Sequence, residues 1–269
     1  MSSFSVPFKS LQMAPSKTCL ALVGTMKHGK TTCALSVSEK FDPSFSKPQV
    51  LDDIGVITTE ADAMQGAKLM GVEVAYWQDL TDYTNKGQKV FDSALDSAMA
   101  TQFELAAQGK IKALIVDTVS TLDKTWKSYL TKQYEKWGLI DALLVKHREF
   151  LVTKLLSFPV PTIILMHTRK VSTEMDPIKR EAQGLDTEDR LVMDISGWDA
   201  PSLYRAQCSY IVPIKKTEQK GKPDEFFLYP RGVSGIEAGG RYGLDGAPDK
   251  LPANLRLFFE VVKAGGKTA

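Results

Sequence analysis

Gly24-Thr25-Met26-Lys27-His28-Gly29-Lys30-Thr31 follows the apolar run Cys19-Leu-Ala-Leu-Val23 and fills the pattern G-x-x-x-x-G-K-[ST]. A helix is predicted from Thr32 to Lys40, stopped by Asp42-Pro43, so strand, loop and helix start bring several backbone N–H groups to one point. That arrangement cradles an anion. Gly24 through Thr32 form the expected nucleotide-binding set, in which Lys30 reaches β- and γ-phosphate oxygens and the Thr31 hydroxyl ligates Mg²⁺. The competing reading is an ordinary glycine-rich turn.

Working outward, short apolar segments alternate with helical ones, the rhythm of a mostly parallel sheet flanked by helices. Cys19–Val23, Ile54–Thr58, Val72–Tyr76, Leu114–Val116 and Thr162–Met166 alternate little, as strands covered on both faces do. Val90–Gln108 sets Phe91, Leu95, Ala98, Met99 and Leu105 on one helical face. Ala142–Leu156 does the same with Leu143, Leu144, Phe150, Leu151 and Leu155. Beyond Arg205, Cys208–Ile214 and Glu225–Tyr229 are joined through Lys220-Gly-Lys-Pro223 and predict an antiparallel hairpin at the sheet edge. A helix over Ala253–Val262 closes the chain. The expected fold class is thus α/β, with residues 17–269 a single domain behind a tail, 1–16, suited to oligomerisation.

The 269 residues are 43% hydrophobic and 25% charged, which suits a globular chain and not a disordered or fibrous one. A formal net charge of +2 requires any nucleic-acid site to be a local patch. Cys19, Cys33 and Cys208 lie scattered in apolar stretches, the pattern of reduced core residues and not of a zinc site or disulfide framework. No apolar run reaches eighteen residues, and Met1–Phe8 lacks the character of a secretory signal. The expectation is a cytoplasmic protein without membrane partners.

A phosphate loop needs a carboxylate for the metal's shell, and Ile111-Lys-Ala-Leu-Ile-Val-Asp117 supplies one at a strand end. Glu60 closes Val56-Ile-Thr-Thr-Glu60 at the same edge and is the candidate base for the attacking water; Asp62 competes with it. His167 ends a third strand, either as a sensor of the γ-phosphate or as a hydrogen-bonded core histidine. Neither His28 nor His147 receives a task.

Together with Trp137-Gly through Phe158, Pro230-Arg231 and Arg241-Tyr-Gly-Leu244, these segments resemble phage-encoded RecA-like P-loop ATPases of the single-strand-annealing (Sak) type, related to RecA, UvsX and KaiC. The resemblance implies ATP with Mg²⁺ held between neighbouring subunits of a ring or filament. It implies Glu60 as the base and His167 as the sensor, where RecA has glutamine. It further implies basic residues reaching a neighbour's γ-phosphate, although the Lys-x-Arg pair of the annealing group is Gly239-Gly-Arg241 here. Arg231 and Arg241 flank a glycine-rich stretch and are the candidates for that contact in trans.

For single-stranded DNA the resemblance points to the loops after the Asp117 and His167 strands. Residues 168–205 read as a long loop without clear secondary structure, in which Arg169, Lys170, Lys179 and Arg180 are the candidate contacts despite many intervening acids. Lys124–Lys136 interleaves lysines with aromatics and is next in line. There, Leu122, Trp126, Tyr129, Leu130 and Trp137 also fit the buried face of an amphipathic helix. The resulting expectation is a recombination ATPase that anneals or pairs strands, with a phage single-strand-binding protein as a further partner. The alternatives are an ATP-gated interaction protein of phage replication or packaging, and a P-loop nucleotide or small-molecule kinase.

Overall fold

Cys19–Gly24 is β1, and every residue in it is buried, because sheet neighbours lie on both sides and helices on both faces. The computed structural model describes residues 18–171, 190–195, 200–218, 223–232, 238–240, 244 and 246–265. Its further strands are β2 (Gln49–Thr58), β3 (Val72–Asp79), β4 (Ala113–Asp117), β5 (Thr162–Val171), β6 (Arg190–Met193), β7 (Tyr210–Thr217), β8 (Glu225–Leu228), β9 (Gly239–Gly240) and β10 (Leu251–Pro252). The helices are α1 (Lys30–Leu35), α2 (Ala61–Leu69), α3 (Gln88–Ala107), α4 (Val119–Gln133), α5 (Trp137–Ser157), α6 (Ala200–Gln207) and α7 (Leu255–Lys263).

The sheet runs β10-β8-β7-β1-β5-β4-β2-β3, with β6 added to β5 and β9 to β7. Six consecutive strands, β7 through the edge strand β3, are parallel. The antiparallel pairs are β5–β6, β7–β8, β7–β9 and β8–β10. The expected C-terminal hairpin is β7–β8. It lies inside the sheet edge, which β10 forms.

Strand residues alternate between two cores. Cys19, Ala21 and Val23 join Leu114 and Val116 beneath α3, α4 and α5, whereas Leu20 and Leu22 join Ala113 and Ile115 beneath α1, α2 and α7. No helix of the described residues is long and apolar enough to cross a membrane.

Several boundaries depart from the sequence reading. The helix predicted to reach Lys40 stops at Leu35, because side chains compete for the backbone that would extend it. Ser36 Oγ donates to Cys33 O at 2.6 Å and accepts from Leu255 N at 2.7 Å, while Asp53 Oδ2 takes Glu39 N at 2.9 Å. The stretch 168–205 is not loop throughout, since β5 continues to Val171 and pairs with β6, and α6 follows. Helix α5 starts at Trp137, earlier than expected. Its Phe150, expected on the buried face, is 49% exposed. Helix α2 had no counterpart in the sequence reading. The tail 1–16 lies outside the described residues.

Candidate nucleotide site

Parallel strands end together, so the carboxyl edge collects the residues that close them. Gly24 is in register with His167, and Thr58 with Asp117. Strand β5 lies between β1 and β4, which sets His167 between the phosphate loop and the two carboxylates.

The loop itself is tightly constrained. Gly29 has φ 72°, and a Cβ there would meet the Phe226 ring at 2.9 Å. At Gly24 a Cβ would stand 2.7 Å from the Ile214 carbonyl oxygen. Only glycine fits either place. Helix α1 has six residues, and Cys33 N donates back to Gly29 O at 2.9 Å. Among the described residues, the N–H groups of Gly29, Lys30, Thr31 and Thr32 find no acceptor. Met26 and Lys27 are exposed at the loop tip.

Lys30 is buried and turned onto its own loop. Its Nζ donates to Gly24 O at 3.0 Å and Thr25 O at 2.8 Å, and lies 3.1 Å from His167 Nδ1. An ammonium has no acceptor capacity, so Nδ1 accepts and the His167 proton sits on Nε2. That nitrogen is 2.9 Å from Glu60 Oε1. Lysine, imidazole and carboxylate therefore form one hydrogen-bonded chain. A second link, Thr25 Oγ1 to Thr168 Oγ1 at 3.2 Å, ties the loop to β5.

Thr31 Oγ1 donates to Asp117 Oδ2 at 2.7 Å. A hydroxyl and a carboxylate held side by side are hard oxygen donors of the kind Mg²⁺ takes, so these residues fit that ion. Among the described residues no cluster of three His, Cys, Asp or Glu side chains offers another metal site.

The electrostatics follow from who partners whom. Burial depresses the Lys30 pKa to about 8, against the pull of Asp117 and Glu60. Burial likewise pushes Asp117 up to about 6, although the Thr31 hydrogen bond opposes it. Glu60 goes the other way: burial works to raise it, but the hydrogen bonds from His167 and Thr121 prevail and hold it at about 2. Lys30 and Asp117 thus each carry charge that their neutral partners compensate poorly.

Of the expected residues, the structure brings Gly24–Thr32, Glu60, Asp117 and His167 to one edge. Asp62 sits exposed in the first turn of α2, and no hydrogen bond links it to the chain of Lys30, His167 and Glu60. Arg231 is exposed and lies 3.6 Å from Asp249. Arg241, Lys179 and Arg180 fall outside the described residues, as does the side chain of Lys170; Arg169 is exposed on β5. In α4, Leu122, Trp126, Tyr129 and Leu130 are buried as the amphipathic reading had it. Trp137 departs from it at 63% exposure, because it begins α5 beyond the packed stretch. Its ring lies 5.8 Å from Lys127 Nζ, and Tyr134 is exposed nearby in sequence.

Sequence reasoning missed Thr118, Ser120 and Thr121, whose hydroxyls serve the site. The signal was the run Thr118-Val-Ser-Thr121, which has the form of a helix cap. It also missed Phe226 and Ile214, which reach the loop from the β7–β8 hairpin; nothing local announces such a contact.

No family model and no curated protein matches this chain. Among solved structures it is similar to the crystal structure of the RadB recombinase, with 16% sequence identity over 83% of this chain and 84% of that chain and a TM-score of 0.43.

Proposed function

We propose that this chain is a Mg²⁺-dependent ATPase of the RecA-like P-loop class that binds single-stranded DNA and promotes annealing or strand pairing as a homo-oligomer in phage recombination. The observation that carries the enzymatic part is the pairing of Lys30 and Asp117 with neutral groups beside four free backbone N–H groups. A nucleotide phosphate supplies the anion that Lys30 lacks, and Asp117 with Thr31 would hold Mg²⁺, which when bound neutralises phosphate charge. The γ-phosphate draws Lys30 off its two carbonyls. His167 then loses its donor at Nδ1 and registers that the site is filled, while Glu60 accepts a proton from the attacking water.

For DNA, Arg169, the exposed Trp137 and Tyr134 and the half-buried Lys127 are suited to phosphate contact and base stacking without sequence preference. Lys170, Lys179 and Arg180 complete the proposed basic set. A charge from a neighbour, Arg231 or Arg241, completes the proposed active site in trans; for Arg231 this means leaving Asp249. A mixture of Lys30→Ala and Arg241→Ala subunits then regains turnover that each lacks alone.

The deciding measurement is ATP turnover with Mg²⁺, with and without single-stranded DNA, with duplex as control. Stimulation by single strands that weakens steeply with salt supports the reading; no turnover in any condition overturns it. A second reading, an ATP-gated interaction protein, is favoured by the exposed Trp137, Leu139, Val145 and Phe150 of α5. It predicts turnover that is indifferent to DNA.

A further inference from the structure

The hydroxyl run after Asp117 is not used by phosphate or metal, yet each hydroxyl has a partner at the site. Thr118 Oγ1 caps α4 by accepting Thr121 N at 3.2 Å, and Ser120 Oγ accepts His167 N at 2.9 Å. Thr121 Oγ1 donates to Glu60 Oε1 at 2.8 Å. A hydroxyl has one proton to give. Thr118 Oγ1 lies 3.2 Å from Glu60 Oε1 and 3.1 Å from Thr121 Oγ1, so its proton serves one of them, whereas the Thr121 proton goes to Glu60.

On its other side the same Oε1 meets His167 Nε2 at 2.9 Å. Two structural elements, α4 and β5, therefore converge on one carboxylate oxygen. Among the described residues, Oε2 has no hydrogen-bond partner. A base must present an acceptor in a fixed direction, and a carboxylate pinned through one oxygen leaves the other to do so.

We propose that Thr121 is a positioning residue for hydrolysis, a hydroxyl on α4 that fixes the direction in which the Glu60 carboxylate faces. The assignment rests on the reading of Glu60 as the base of an ATPase. Without Thr121 the carboxylate keeps His167 and only the longer 3.2 Å contact from Thr118, whose proton Thr121 Oγ1 can otherwise take. Thr121, anchored by the capped turn of α4, supplies the shorter contact.

The test is steady-state turnover of Thr121→Val, which keeps the side-chain shape and removes the proton. The expected result is a kcat lowered about 10- to 100-fold, with KM for ATP, nucleotide affinity and melting temperature unchanged. Thr121→Ser, which restores the hydroxyl but not the methyl group, is expected to regain at least half of the wild-type kcat. Should Thr121→Val fail to fold, Thr121→Ala is read by the same split between kcat and KM. Wild-type turnover with an unaltered kcat in the folded variant overturns the assignment alone. A serine variant as slow as valine also overturns it, because packing and not the hydroxyl is then what matters. Absence of wild-type turnover overturns the ATPase reading and this assignment together.

Discussion

Two of the places where this molecule buries charge do it in opposite ways. Between α4 and α5, Arg148 Nε meets Asp123 Oδ1 at 2.6 Å, with both side chains almost fully buried. Each charge there has its opposite within contact. At the carboxyl edge, Lys30 is held by two carbonyls and an imidazole, and Asp117 by a hydroxyl. The first arrangement is complete in itself and clamps two helices. The second leaves a cation and an anion each wanting a stronger partner, the place the proposed metal–phosphate pair would take. Buried charge alone therefore does not mark a site; what distinguishes this edge is a cation and an anion gathered at neighbouring strand ends, each left with neutral partners.

The sharpest way to break this comparison is through turnover. Glu60→Gln is expected to bind nucleotide normally and to lose about 10²- to 10⁴-fold in kcat, the range of a lost general base and roughly 3 to 5 kcal/mol of barrier. Lys30→Ala is expected to abolish turnover without lowering the melting temperature. By contrast, Arg148→Met is expected to destabilise the fold by about 3 to 5 kcal/mol, since it strands Asp123 without its partner. Changing Asp123 to Leu as well is expected to recover much of that loss. If Lys30→Ala proves as destabilising as Arg148→Met, the distinction between the two regions collapses.

A smaller effect is expected at Asp117. Its folded pKa of about 6 lies above the ordinary 3.8, so the folded chain holds this proton more tightly than the unfolded one. The penalty appears as pH rises through that interval and is fully present at pH 7, where it amounts to about 3 kcal/mol at most. Asp117→Asn is expected to raise the melting temperature at pH 7 and to lose that advantage near pH 4. Wild-type affinity for Mg²⁺ with nucleotide is expected to fall as pH drops below about 6, because Asp117 must first release a proton. Above pH 8, binding is expected to take up a proton onto Lys30, visible as buffer-dependent binding heat. The smallest effect belongs to Arg231→Ala. Its exposed pair with Asp249 contributes under about 1 kcal/mol, so the melting curve stays put and only turnover tests the trans contact.

Much of this was legible in the chain because local pattern and chemistry coincided. The phosphate loop declared itself through Gly24, Gly29, Lys30 and Thr31, and the central strands through apolar runs that match both cores. Glu60, Asp117 and His167 were found as polar residues closing such runs. What the sequence did not disclose depends on contacts between distant segments. Phe226 against Gly29 joins positions about 200 residues apart, and the halt of α1 at Leu35 depends on Ser36 meeting Leu255. The exposure of Trp137 depends on where α4 ends, a boundary that periodicity alone places poorly.

Helix α4 has one more consequence, a mechanical one. Fifteen residues of α-helix measure about 22 Å, and this rod starts at the hydroxyls around Glu60 and ends beside the exposed Tyr134 and Trp137. Trp126, buried and stacked 5.0 Å from His147, and the Arg148 bridge act as a bearing along its length. A rod seated this way transmits tilt better than it transmits bending. A tilt of its outer end is carried by leverage to the threonine hydroxyls, and so to the strand edge that holds Glu60.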